Sequence, residues 1–208
     1  MKILIISILL MLFAHPLIAV EDDKPWVMSF SFGAAYSTMY PEISIFKNNR
    51  NPKIQKALGL NLEYHISDKR YIGLGFTRHE GSYNLDDEII LGQYPVGVRL
   101  DNYRQTWAYD YFELSYRRSF DNRLNLTAGF FYYLDYTNFS VVTARYEPNI
   151  LFVFGRDKPR SDDFGLSLAL GYSLPLRDYM KLGLRSKLYY TLAGIESISL
   201  APYISFSF

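Results

Sequence analysis

Ile198-Ser199-Leu200-Ala201-Pro202-Tyr203-Ile204-Ser205-Phe206-Ser207-Phe208 is the stretch that decides the fold. Even positions are mostly apolar and odd positions small or polar. Alternation with period two marks a β-strand whose two faces meet different surroundings. The stretch ends on an aromatic residue at Phe208.

Working outward, the same alternation recurs in seven further segments. Trp26–Ser37 carries Trp26, Met28, Phe30, Phe32, Ala34 and Tyr36 against Ser29, Ser31, Gly33, Ala35 and Ser37. Comparable segments cover 58–66, 72–77, 112–117, 124–135, 164–172 and 180–190. The apolar face falls on even numbers in all eight. The opposite face is rich in Gly, Ala and Ser, with a few charges. A soluble sandwich puts its large aliphatics inside and polar residues outside. A face of short side chains suits instead the crowded interior of a small barrel whose apolar face meets lipid.

Connections alternate in length. Short turns are expected at Ser67-Asp68-Lys69, Asp121-Asn122, Pro175–Asp178 and near Ala193-Gly194, and long links at Pro41–Lys53, Gly81–Arg104 and Thr137–Asp163. Two long links contain hairpin patterns: Leu85–Leu91 with Val96–Leu100, and Phe139–Glu147 with Ile150–Phe154. They either project from an eight-stranded wall, the reading favoured here, or enter it to make ten or twelve strands. In the fourth segment Trp107, Tyr109 and Tyr111 put aromatics on odd positions and Asp110 on the even face. Either a bulge near Tyr111 changes the phase, or the strand enters the membrane only near Phe112.

Composition agrees with exported, membrane-spanning strands. The chain has 19 Tyr and 15 Phe but no Cys, which excludes disulfides, thiolate metal sites and Cys nucleophiles. Lys2, an apolar run from Ile3 to Phe13 and small residues before Glu21-Asp22-Asp23 read as a signal peptide over residues 1–20, leaving a barrel domain over 21–208. The apolar run is too short for a retained helical anchor, which needs about 20 residues. Lys2 is the only charged residue in that leader, so 21 basic and 21 acidic residues remain. This balance gives no basis for a nucleic-acid partner.

Taken together, the chain resembles the small outer-membrane β-barrels of OmpA-type and OmpX-type, by pattern over nearly the whole mature chain. The expected fold is an all-β, antiparallel, up-and-down transmembrane barrel of eight strands, in the outer membrane of a Gram-negative cell. The resemblance implies that Ile204, Phe206 and Phe208 form the signal read by the barrel-assembly machinery. It also implies outer-membrane lipid and lipopolysaccharide as partners of a monomeric barrel. Pro202 departs from the usual residue type, because a closed barrel pairs both edges of its last strand.

Three roles are weighed. Inward charges at Glu63, His65, Glu113, Arg117, Lys181, Arg185 and Lys187 read as a salt-bridge network closing the lumen, since a buried charge needs a partner. A gate, proton path or narrow channel is the rival use of the same residues. Arg78-His79-Glu80-Gly81-Ser82 supplies the enzymatic alternative: His79 as base, Ser82 as nucleophile and Glu80 as orienter of a lipid A deacylase-like site. That arrangement needs a turn after Gly81, because His79 and Ser82 face opposite ways on a continuing strand. A third use is surface binding through Tyr83, Tyr94, Tyr103 and Tyr146 among Asp86, Asp87, Glu88, Arg99 and Arg145. No metal-ligand spacing or cofactor motif is present. The expected function is a structural or surface-binding barrel without catalysis, the lipid A-modifying enzyme being the alternative.

Overall fold

The computed structural model describes residues 25–37, 54–67, 69–85, 88–89, 98–101, 103–120, 123–140, 142–146, 149–153 and 158–208. Side chains are described for 25–37, 54–67, 69–82, 106–120, 123–136 and 162–208. The expected signal peptide lies outside these residues, as do the side chains of Tyr83, Asp86, Asp87, Glu88, Tyr94, Arg99, Tyr103, Arg145 and Tyr146.

Among the described residues twelve strands follow one another: β1 Trp26–Ser37, β2 Ile54–Ser67, β3 Arg70–Leu85, β4 Glu88–Ile89, β5 Val98–Asp101, β6 Tyr103–Phe120, β7 Leu124–Ser140, β8 Val142–Tyr146, β9 Asn149–Val153, β10 Lys158–Arg177, β11 Met180–Thr191 and β12 Gly194–Ser207. Eight of them close a barrel in the order β1-β12-β11-β10-β7-β6-β3-β2. Every barrel pair is antiparallel. The other four form a separate sheet, β4-β5-β8-β9. The two hairpin patterns therefore join each other as a projecting sheet and stay out of the wall.

Cross-strand partners share a face, and away from four register shifts they pair even with even and odd with odd. Odd residues point inward and even residues outward. Phe30, Phe32, Leu58, Leu74, Leu114, Phe130, Leu170 and Leu184 are accordingly exposed on the outside. Trp26 packs edge-on to Tyr64, centroids 4.9 Å apart, at the turn end. Such aromatic rings suit a membrane interface.

A membrane-spanning strand needs about 9–11 residues. β6 has 18 and β10 has 20, so the wall continues well past one side of a bilayer. Two of the three long links are correspondingly shorter than expected, because β3 continues to Leu85 and β7 to Ser140. β6 pairs with β3 and β7 without a register shift, so there is no bulge at Tyr111. Trp107, Tyr109 and Tyr111 are simply inward residues of an unbroken strand.

The barrel closes at the β1–β12 seam. Trp26 N–H donates to Phe208 O at 3.1 Å, and Phe208 N–H donates to Trp26 O at 2.9 Å. Turn residues Lys69, Arg123 and Asp178-Tyr179 share this end. The strands that lead into the projecting sheet, β3 and β7, run to the other.

Candidate functional site

Inward side chains fill the lumen in three tiers. At the turn end, the Arg117 guanidinium donates through Nε to both Glu63 carboxylate oxygens at 3.0 Å, and its Nη2 lies 2.9 Å from Oε2. Its Nη1 donates to Ser119 Oγ at 2.8 Å and Asn125 Oδ1 at 3.1 Å. The Tyr71 ring lies 3.7 Å beneath the guanidinium carbon and stacks on His65 at 4.7 Å. A two-pronged guanidinium–carboxylate pair with its remaining donors engaged is the geometry a buried ion pair needs.

The middle tier pairs Lys187 with Glu113. Lys187 Nζ donates to Oε2, and Ser167 Oγ donates to Oε1 at 2.7 Å. Both charged side chains are buried. The pair lies next to Gly129, where a Cβ would sit 2.7 Å from Glu113 Oε1.

The third tier is aromatic. Tyr111 stacks on Tyr189 with centroids 4.1 Å apart. Phe131 meets both rings edge-on at 5.4 and 5.1 Å, and Tyr133 lies 5.6 Å from Tyr111. Trp107 and Tyr109 complete a buried cluster. The Gly-rich face makes room for short and polar side chains, as at Gly59 against Ser31 and Gly75 against Asn61, and three of its glycines, Gly81, Gly165 and Gly183, are also slots for large rings of the neighbouring strand. The Trp107 indole sits where a Gly81 Cβ would be, within 2.5–2.6 Å, and Phe131 does the same over Gly165 at 2.4 Å.

The seven inward charges therefore divide. Glu63 with Arg117 and Glu113 with Lys187 form two separate pairs. Arg185 lies over the Tyr203 ring at 4.5 Å, and neither it nor Lys181 forms an ion pair among the described residues. His65 contributes its ring to Tyr71.

His79, Glu80 and Ser82 do not converge. β3 runs straight through Gly81, so no turn brings them together. His79 is fully buried in the lumen between Tyr111 at 4.9 Å and Tyr189 at 5.6 Å, with Nδ1 3.4 Å from Ser197 Oγ. Glu80 and Ser82 lie exposed on the outer face. Arg78 is outward too, 3.4 Å from Asp110 and 4.0 Å from Glu80.

Sequence pattern missed Tyr189, Phe131 and Tyr133 because each adjoins an even-numbered aromatic, which hides the alternation. It missed Glu196 for a backbone reason. Tyr189 pairs with Ser197 and Tyr190 with Ile195, leaving Glu196 as the extra residue of a bulge. Glu196 and Ser197 both turn inward, where Thr191 Oγ1 donates to the Glu196 carboxylate. Of the C-terminal residues, Ile204 and Phe206 are half-buried on the outer wall and Phe208 is exposed.

No family model and no curated protein matches this sequence. Solved structures do. Ail, the attachment invasion locus protein of Yersinia pestis, in complex with the heparin analogue sucrose octasulfate, superposes with a TM-score of 0.53. It is 11% identical, and the match covers 88% of this chain and 99% of that one. The N-terminal barrel domain of Pseudomonas aeruginosa OprF (10% identical, 89% and 98% covered, TM-score 0.46) and Neisserial surface protein A (13%, 88% and 96%, 0.44) are further neighbours. At these identities the likeness concerns fold alone. This chain has the fold of the eight-stranded outer-membrane barrels.

Proposed function

We propose that this protein is an outer-membrane barrel that neither conducts nor catalyses, and that it displays the β4-β5-β8-β9 sheet at the cell surface for binding. The observation that carries this reading is the stopper. Tyr111, Tyr189, Phe131, Tyr133 and His79 meet across the lumen as buried rings. Two ion pairs then fill the bore below them. Export through a leader over 1–20, and delivery by an assembly signal at Ile204, Phe206 and Phe208, belong to the same proposal. So does the orientation, with termini and tight turns periplasmic and the long links outside.

Purified protein in planar bilayers is expected to give no resolved conductance steps. Regular unitary steps from the wild type would overturn the stopper. Protease added to intact cells is expected to cut within links 86–102 or 141–157. Cutting only after the outer membrane is breached would reverse the orientation.

A further inference from the structure

The seam that closes the barrel has a local defect with a groove over it. Along β1 and β12 the pairing runs through Ser31↔Tyr203 and resumes at Ala34↔Leu200 in the same register. Phe32 and Gly33, opposite Pro202 and Ala201, are unbridged. Proline has no N–H to donate. On its other side Pro202 pairs with Leu184 without interruption, so the missing donor faces β1. The strands stay close there: a Cβ on Gly33 would lie 2.2 Å from Leu200 O.

Outside this point lies a groove of about 560 Å³, lined by Phe30, Phe32, Leu58, Leu60, Pro202 and Ile204 among others. It is almost wholly apolar and lies within the lipid-facing belt. Its upper end is charged. On β2, Lys56 stands two residues beyond Leu58, facing outward and exposed. Arg78 is the cross-strand partner of Leu58, and Ala34, with its small side chain, is the partner of Lys56. The apolar trough therefore runs up to two cations, Lys56 having the small Ala34 on its β1 side and Glu80 as its cross-strand partner on β3. Asp110 and Glu80 flank Arg78, yet its guanidinium carries more donors than these two carboxylate contacts use.

We propose that this groove holds one phosphorylated, acylated glycolipid of the outer leaflet, with an acyl chain along Phe30, Phe32, Leu58 and Pro202 and a phosphate at Lys56 and Arg78. The choice of an outer-leaflet glycolipid rests on the orientation proposed above, which puts Lys56 and Arg78 at the outer interface. A purely hydrocarbon annulus has no use for cations at the head of the trough. A second protein copy would be expected to meet it with an acidic strand face.

The test uses full-length barrel in phosphatidylcholine nanodiscs doped with bisphosphorylated lipid A, dephosphorylated lipid A or phosphatidylglycerol. Native mass spectrometry counts what each barrel retains. One bisphosphorylated lipid A per barrel is expected, in preference to the other two. Leu60→Trp fills the groove from an outward position and should lower retention. Lys56→Gln should lower it roughly fivefold, about the upper end for one exposed ion pair. Glu80→Gln removes a competing carboxylate and should raise it. Equal retention by Leu60→Trp and wild type overturns the groove. Equal retention of dephosphorylated lipid A overturns the cation site. Equal retention of phosphatidylglycerol overturns the glycolipid, and a dimer with no lipid overturns both in favour of a second copy. The readout is made in a defined bilayer, so a wrong cellular location or orientation would show in the protease experiment and not here.

Discussion

Glu113 shows how much a single inward residue can carry. It neutralises Lys187 and accepts a hydrogen bond from Ser167. Glu113→Gln leaves a buried ammonium with no counter-charge, and removing one partner of such a pair costs about 3–5 kcal/mol. Urea unfolding in lipid vesicles should register that loss; a change under ~1 kcal/mol would mean the pair is dispensable. Replacing both partners, Glu113→Leu with Lys187→Met, should recover most of it. Gly81 makes the complementary case from shape. A Cβ there meets three atoms of the Trp107 indole at 2.5–2.6 Å. Gly81→Ala should cost about 1–3 kcal/mol through overpacking, and Trp107→Leu in the same chain should restore part of that in the same assay. The sequence made Glu113, Arg117 and Lys187 recognisable as inward charges because alternation gives the face directly. Which carboxylate meets which cation was not legible. Arg185 and Lys187 share a face and a strand, and only the inter-strand register decides which of them reaches Glu113.

Elements explain what alternation could not. β6 was the segment whose pattern read worst, and it proves to be the most regular in pairing, unshifted against both neighbours. Its aromatics at 107, 109 and 111 contradict the rule that large residues face lipid, because this barrel keeps part of its bulk inside. β12 gives the opposite lesson. Its clean alternation ends at Ile198, and the bulge at Glu196 shifts the phase upstream. A bulge leaves no residue signature of its own, so the inward Glu196 was invisible. Pro202 was legible as an anomaly, and the structure gives it a place: an interrupted seam with intact pairing on the β11 side. Amide exchange should therefore be faster at Phe32, whose N–H faces the gap, than at the bridged seam-facing positions Met28, Phe30, Ile204 and Phe206, since exposed backbone groups open first. Pro202→Val restores a donor and should slow exchange there, read by hydrogen–deuterium mass spectrometry. Unchanged exchange would separate the gap from the proline.

At the scale of the whole molecule, the barrel and the projecting sheet are distinct hydrogen-bonded units. Replacing links 86–102 and 141–157 by short hairpin turns should leave the barrel folded, with a urea midpoint close to wild type, while removing the surface contact proposed for the sheet. A barrel that no longer folds would show that the sheet braces the wall. The closed eight-stranded fold was readable because one sided-ness rule governs every wall strand, whereas the role of the sheet was not, since short strands that alternate poorly carry little pattern.

The seam also sets an order of events in time. β1 and β12 come from opposite ends of the chain, yet they pair directly. Every other wall strand pairs with a chain neighbour or across one of the hairpin links. The closing contact is thus the most non-local in the molecule, and contacts of that kind slow folding. Until β12 arrives, β1 presents a row of unpaired backbone groups, the situation in which strands join the wrong partner. Substitutions along β12 should then act first on how fast and how often the barrel matures, and only second on how stable it is once closed.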